Sequence, residues 1–259
     1  MRRGARPPRI GALAREVGSA FLQPDVAPLP DPSQASEPRR IRVEIWSDVV
    51  CPWCYLGVRR FEGALARFAH REQVDVVWRS FLLDPNAPRE AKGDLYALLM
   101  ARYGKTRAEV NMIYGHLEGL GAAEGVAYRF AQVRPGSSFD AHRLVQLAAV
   151  HGLGGVLHER LARAYFTEGV LLADANALVR LGAEVGLDAA AARQVLAGDA
   201  YADAVRADVH RAARFGVRAV PAYVFEEQFK VIGAQTADAL LAVFDRVWSQ
   251  SPTDPSRRR

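Results

Sequence analysis

Cys51 and Cys54, the two cysteines of the 259-residue chain, stand three positions apart in the segment SDVVCPWCYLG. A disulfide between them would close a very short loop and so add little stability. A structural zinc site uses four clustered Cys or His ligands, and no histidine of this chain has the matching spacing. Covalent haem attachment needs a histidine at position 55, which is Tyr55. We therefore expect no metal, which leaves a redox pair or two inert buried thiols.

The residues around the pair favour the redox interpretation. Pro52 suits the first position of a helix because it lacks a backbone N–H, and this places Cys51 at the N-cap. The positive end of the helix dipole and the free N–H groups of Trp53 and Cys54 would stabilise a thiolate at Cys51. Cys54 would lie one turn further into the helix, within reach of the Cys51 sulfur. We expect Cys51 to attack a disulfide and Cys54 to resolve the mixed disulfide.

The elements that must position the pair can be read from the hydrophobic pattern. Residues 41–47 are β-rich and alternate at first between apolar and polar, which predicts a strand. The segment YLGVRRFEGALARFA follows the cysteines and predicts a helix, and QVDVVWRSFLL predicts a second strand. These elements form a βαβ unit, in which the two strands pair in parallel. A CxxC pair at the strand-to-helix turn of such a unit is typical of redox proteins.

The remainder of the chain divides into a helical block and a second β-rich part. Six helical segments are separated by Gly, Asp or Ser between residues 85 and 207. A further helix, YADAVRADVHRAARFG, precedes two β-rich runs, VRAVPAYVFEE and FKVIG, and a last helix begins near Thr236. We therefore predict an α/β domain over 41–84 and 208–249 and a helical insertion over 85–207.

Charge and composition exclude several classes of partner. The formal net charge is +5, but the basic excess lies in the two ends of the chain, so the neutral centre has no footprint for nucleic acid. No apolar stretch reaches the roughly 18 to 20 residues that a membrane span needs. The region after Met1 lacks the apolar core of a signal peptide, which predicts a cytoplasmic protein. Pro- and Ser-rich composition predicts disorder in residues 1–40, and we extend that prediction to 250–259.

Five short motifs in the same order carry a family resemblance: SDVVCPWCYLG, FDAHRL, AYFTEG, VPAYVF and IGAQ. Together they resemble the FrnE-like branch of the DsbA-family thiol:disulfide oxidoreductases, over about residues 41–248. The resemblance implies a thioredoxin-like fold with a helical insertion, an exposed attacking Cys51 and a resolving Cys54. It also implies that Pro221 is a cis-proline beside the active site. Val220, just before it, would offer its backbone to an extended substrate segment.

Further site candidates carry a structural alternative beside the functional one. Relatives that act as oxidants place His between the cysteines, and the enclosed Pro52 and Trp53 therefore leave the redox direction open. Trp53 either contacts substrate at the rim or packs against the insertion. His142, in FDAHRL, is a substrate-binding candidate or a buried helix histidine. Gln235, in IGAQ, is a weaker substrate-binding candidate whose alternative is helix capping before Thr236.

We predict from these observations a thiol:disulfide oxidoreductase or isomerase that acts on protein or small-molecule thiols and disulfides. It needs no bound cofactor, and glutathione is a candidate co-substrate. A monomer or a homodimer fits the sequence. Two alternatives stay open: a glutathione-dependent isomerase or transferase of the kappa-class type, whose motifs are similar, and a chaperone-like binding module.

Overall fold

A computed structural model describes residues 39–250, which belong to one compact unit. The disorder predicted for 1–40 and 250–259 falls outside these residues, except at Arg39, Arg40 and Gln250, and Gln250 is helical. The strands are β1 (Ile41–Ser47), β2 (Val74–Ser80), β3 (Ala222–Phe225) and β4 (Phe229–Ile232). The helices are α1 (Pro52–Arg67), α2 (Leu95–Tyr103), α3 (Arg107–Ala123), α4 (Phe139–Val150), α5 (Gly154–Phe166), α6 (Ala175–Glu184), α7 (Ala189–Ala197), α8 (Ala202–Arg214) and α9 (Ala237–Gln250).

The four strands form one mixed sheet in the order β2-β1-β3-β4. Strands β1 and β2 are parallel, with Ile41 opposite Val74, which confirms the predicted βαβ pairing. Strand β3 runs antiparallel to β1, and β4 runs antiparallel to β3. All of β1 except Arg42 is buried, because helices cover both faces of this central strand. The turn that carries the cysteines therefore follows the C-terminal end of an interior strand of the sheet.

Aromatic packing holds α1 and α9 against one face of the sheet. The Phe61 ring of α1 stacks on Tyr223 of β3 at 5.6 Å and 9°, and it contacts Phe244 of α9 at 5.6 Å. All three side chains are fully buried. Complete burial of one such side chain contributes about 1.5 to 3 kcal/mol, so this cluster fixes α1, and with it the cysteines, on the sheet.

A buried polar cluster fastens α8 to the opposite face. Glu44 of β1 forms ion pairs with Arg79 of β2 and Arg211 of α8, and Asp208 of α8 accepts from the Ser80 N–H at 2.9 Å and from Arg79 at 3.0 Å. Burial alone would raise the pKa of Glu44, but hydrogen bonds from Arg211 and Arg79 outweigh it and lower the pKa. Each buried carboxylate is thus satisfied by cations on neighbouring elements, as buried charges must be.

Capping residues in the sequence set the start of the insertion helices. The side chains of Asp94, Thr106, Asp174 and Asp188 each accept a backbone N–H from the first turn of α2, α3, α6 and α7. Such caps stabilise a helix by about 1 kcal/mol. These helices, together with α4 and α5, pack around an apolar core separate from the one beneath the sheet.

One predicted domain boundary falls within a helix. The predicted boundary at 207/208 lies inside α8, which begins after Tyr201, a residue with a positive φ of 63°. Helix α8 packs on β2 and α4, and its Asp208 bonds to the sheet. Helix α8 thus contacts both the sheet and the insertion. Among residues 39–250, no helix is both long and apolar enough to cross a membrane.

Candidate active site

The turn between β1 and α1 holds Cys51 at the N-cap. Its N–H donates to the Asp48 carbonyl at 3.0 Å, and Pro52 starts the helix as predicted. The sulfur, however, forms no capping hydrogen bond. The Cys54 N–H donates instead to the Cys51 carbonyl at 3.0 Å, so it is not free for the sulfur as we had expected. The predicted contribution of the Cys54 N–H is therefore absent, whereas the position of Cys51 at the positive end of the helix is as predicted.

The two thiols are close together and unequal. Cys51 and Cys54 are free thiols that lie 3.4 Å apart. Burial, followed by the neighbouring Cys51 sulfur, raises the pKa of Cys54 well above its usual value. Cys54 has 0% of its surface exposed, whereas Cys51 has 5% and borders a cleft. Cys51 is thus less exposed than the resemblance implied, yet it is the one of the pair that a substrate can reach.

The loop before β3 lies directly against the cysteine helix. The Val220 carbonyl oxygen is 3.9 Å from the Cys51 sulfur, and the Val220–Pro221 peptide bond is cis. A Cβ atom added at Gly57 of α1 would lie 2.7 Å from Pro221 Cγ and 2.7 Å from the Tyr223 hydroxyl. Only glycine permits this approach, so Gly57 is what allows the loop to sit beside Cys51.

Asp48 and His142 form a buried pair beneath the turn. Asp48 Oδ1 and His142 Nε2 are 3.2 Å apart, and each side chain is 1% exposed. The Asp48 carboxylate also accepts the N–H of Leu83 at 2.8 Å and that of Val50 at 3.3 Å. Burial works to raise the pKa of Asp48, but the hydrogen bonds, above all that from His142, hold it below its usual value. The pair thus joins the redox turn to α4 and to the start of the insertion.

A cleft of about 590 Å³ opens beside Cys51, between the sheet domain and helices α2 and α3. Trp53, 38% exposed, lines it and approaches the His116 ring of α3 at 6.4 Å, so it both faces the cleft and contacts the insertion. Apolar side chains from the two helices form the far wall: Leu95, Leu98, Leu99, Val110, Ile113 and Leu117. A disulfide-bearing molecule in this space would meet the Cys51 sulfur.

The structure brings five further predicted residues to the Cys51 region but not the other two. Pro52, Trp53 and Val220 line the cleft, Cys54 lies behind it, and Pro221 follows Val220. His142 faces Asp48 in the interior and is not on the cleft wall. The Gln235 amide donates to the Ile232 carbonyl at 2.8 Å and closes the turn after β4. The helix cap is Thr236, whose hydroxyl accepts the Ala239 N–H at 3.2 Å.

Two functional contacts escaped the sequence analysis. The Tyr128 hydroxyl donates to the Pro52 carbonyl at 2.6 Å and so ties the insertion to the first turn of α1. The close approach at Gly57 was the second, and a glycine inside a helical pattern is a signal that could have revealed it. Among residues 39–250, no three His, Cys, Asp or Glu side chains are grouped to hold a metal ion.

Comparison with known proteins places this geometry in a family. The model of the DSBA-like thioredoxin domain matches residues 42–245. The chain belongs to the DSBA-like thioredoxin domain family. Membership confirms the predicted DsbA-like fold and the prediction of an enzyme of the disulfide oxidoreductase class. The paired thiols at the helix start are the part of this DsbA-family chain that can carry such chemistry.

Three relatives illustrate the similarity. The crystal structure of SCO1869, a probable DsbA oxidoreductase from Streptomyces coelicolor, is 41% identical with a TM-score of 0.79, over 83% of this chain and 93% of that one. YwbO of Bacillus subtilis (strain 168), described as uncharacterized, is 25% identical over 71% of this chain and 86% of YwbO. DsbM from Pseudomonas aeruginosa, a cytosolic disulfide reductase solved with GSH, is 20% identical with a TM-score of 0.57, over 80% and 99%, and shares the fold.

Proposed function

We propose that this chain is a FrnE-like thiol:disulfide oxidoreductase that exchanges or isomerises disulfides through Cys51 and Cys54. The observation that carries the proposal is the asymmetric pair. The two thiols lie 3.4 Å apart, and only Cys51 borders the cleft. A reactive first thiol and a shielded second one are what a two-step exchange requires.

The reaction proceeds through a mixed disulfide. The Cys51 thiolate attacks one sulfur of a substrate disulfide, and the other substrate sulfur leaves as a thiolate that takes a proton from solvent. Cys54, after losing its proton, attacks the Cys51 sulfur and releases the second substrate thiol. The substrate gains two electrons and the cysteine pair loses them. In the reverse direction the oxidised pair forms a disulfide in a dithiol substrate.

The same proposal extends to partners and location. We take protein and small-molecule thiols or disulfides as substrates, glutathione as a co-substrate and the cytoplasm as the location. The likeness to DsbM, a cytosolic disulfide reductase solved with GSH, supports the last two. A titration of the pair against reduced and oxidised glutathione measures its potential. A value near that of the cytosolic glutathione pool fits a reductase or isomerase, and a far more oxidising one fits an oxidase.

The division of labour is tested with two single variants. Cys54→Ser should accumulate a covalent adduct with oxidised glutathione because no thiol resolves it. Cys51→Ser should form little adduct, because Cys54 is fully buried and burial raises its pKa. Intact-mass measurement after equal exposure compares the two variants. Equal trapping would show that the roles are wrongly assigned, and no trapping by either would remove the exchange function.

A glutathione-dependent isomerase or transferase is the second candidate, and the apolar cleft beside Cys51 favours it. That activity would use the thiol of glutathione rather than those of the protein. The double variant Cys51→Ser, Cys54→Ser therefore separates the two functions. Turnover of glutathione with an electrophile by this variant would support the second candidate, and its absence, together with trapping by Cys54→Ser, would support exchange.

A further inference from the structure

The cleft has the size and enclosure of a small-molecule site. Its volume of about 590 Å³ lies within the roughly 300 to 1,000 Å³ of ligand pockets in proteins. Walls rise on three sides: the cysteine turn, the loop that ends at Val220, and helices α2 and α3. A compact molecule in this space would lie against Cys51.

The lining of the cleft is selective for an apolar body. Leu98 and Leu99 of α2 line one wall of the space together with Ile113 and Leu117 of α3, and Trp53 lines it next to Cys51. The transfer of apolar surface from water to such a lining stabilises binding by about 25 cal/mol per Å². A hydrophilic disulfide gains nothing from these contacts, so the walls discriminate by polarity.

Three basic side chains line the cleft, and two of them already pair with acidic side chains. Arg102 donates to Asp84 at 3.3 Å and to the Leu83 carbonyl at 2.7 Å, and Lys105 lies 3.7 Å from Glu109. Arg218 lines the same cleft and is exposed, and among residues 39–250 no acidic side chain pairs with it. It stands two residues before Val220, whose carbonyl contacts the Cys51 thiol. A guanidinium in this place is free to bind an anion on a substrate that reacts at Cys51.

We propose that the cleft selects low-molecular-weight disulfides that combine an apolar, aromatic or branched body with a carboxylate, and that Arg218 binds this carboxylate. The inference rests on the proposed exchange function and names its substrate class. In a single turnover, one such disulfide and the reduced Cys51–Cys54 pair give two substrate thiols and the enzyme disulfide. Two electrons and two protons pass from the cysteine pair to the substrate, so no further reductant is required.

The test uses the reduced full-length protein and three probe disulfides in single turnovers. The probe 5,5′-dithiobis(2-nitrobenzoate) is aromatic and anionic, 2,2′-dipyridyl disulfide is aromatic and neutral, and oxidised glutathione is anionic and hydrophilic. Stopped-flow absorbance or mass measurement follows thiol release over a range of probe concentrations. We expect the rate to saturate with the aromatic anionic probe and to rise linearly with oxidised glutathione.

Matched variants separate the cleft from the sulfur chemistry. Arg218→Gln should lower the rate constant at low concentration about fivefold for the aromatic anion and less than about twofold for the neutral probe, since one charge-assisted contact is lost. Arg214→Gln removes the same charge from exposed surface outside the cleft and should change neither rate. Ile113→Glu should lower the aromatic anion rate about tenfold. Met112→Glu, at the adjacent exposed position outside the cleft, should not.

A binding measurement keeps this inference separate from the exchange function. The double variant Cys51→Ser, Cys54→Ser cannot exchange, yet it should bind 1-anilinonaphthalene-8-sulfonate with a single site, and adding Arg218→Gln or Ile113→Glu should weaken that site. No saturation with the aromatic anion, or equal effects of Arg218→Gln and Arg214→Gln, would overturn the inference while exchange itself stands. Loss of all thiol release with the cleft binding intact would overturn the exchange function alone.

Discussion

The contact between α1 and the Pro221 loop can be tested by adding one methyl group. In Gly57→Ala the new Cβ would stand 2.7 Å from Pro221 Cγ and 2.7 Å from the Tyr223 hydroxyl, where carbon contacts of about 3.5 to 4.0 Å are normal. The loop must retreat by roughly 1 Å. In Gly63→Ala, on the same helix, the new Cβ would lie 3.8 Å from Ala237 Cβ, which is ordinary contact. The two variants therefore carry the same change of glycine to alanine, but only Gly57→Ala creates a steric clash.

Stability follows from two opposing terms. Replacing glycine by alanine inside a helix stabilises by about 0.5 to 1 kcal/mol, and both variants gain this. Overpacking costs about 1 to 3 kcal/mol, and only Gly57→Ala incurs it. Urea unfolding should therefore show Gly63→Ala above wild type, and Gly57→Ala below Gly63→Ala by roughly 1 to 3 kcal/mol.

The two variants should differ more in disulfide exchange rate than in stability. A retreat of roughly 1 Å by the loop moves the Val220 carbonyl away from Cys51, and a misplacement of that size can cost about a hundredfold in rate. We expect Gly57→Ala to lose at least about tenfold in disulfide exchange while Cys51 alkylation by iodoacetamide changes much less. Equal stability and equal exchange rates in the two variants would refute the close approach as the feature that sets the loop.

Two further predictions concern buried titratable side chains. Burial lowers the pKa of His158 to about 3. In the unfolded chain a histidine has a pKa near 6.5, so it takes up a proton at a higher pH than His158 does in the folded protein. The folded state therefore loses stability relative to the unfolded state as the pH falls below about 6.5. Unfolding curves should show about 2 kcal/mol lost at pH 5 relative to pH 7.5, a loss that His158→Phe removes and exposed His151→Phe retains. Asp208→Asn, which removes one of the two carboxylates that pair with Arg79, should cost about 1.5 to 3 kcal/mol, whereas Asp203→Asn on the exposed side of α8 should leave stability near wild type. A similar loss in both Asp variants would contradict the burial argument.

The local pattern was enough to predict the elements that carry the cysteines. Alternation in 41–47, the proline after Cys51 and the second β-rich run specify β1, α1 and β2 because these signals act within a few residues. The predicted free N–H of Cys54 was wrong because the helix itself uses that group. The helix predicted from YADAVRADVHRAARFG matches α8, but the domain boundary at 207/208 fell inside it, because the pattern of one helix does not tell which neighbours it packs against.

The cleft and the buried pair depend on contacts between distant segments. Leu98 and Ile113 read as core positions of two helices, and only the packing of α2 against α3 turns them toward a shared space. His142 contacts Asp48, which lies 94 residues away in sequence, so no local pattern around His142 could predict that contact. Arg218 resembles any surface arginine until the loop around it is folded.

The insertion leaves the sheet after β2 and returns at α8, so the residues around the cleft come from two separate parts of the chain. The cysteine pair lies in the β1–α1 turn beside the Pro221 loop, whereas the far wall of the cleft lies in α2 and α3. All of the strand pairing lies outside 85–201, in β1, β2, β3 and β4. Substitutions in α2 and α3 can therefore alter the wall of the cleft without touching the strand pairing, provided that His142 and Tyr128 keep their contacts with Asp48 and with the Pro52 carbonyl.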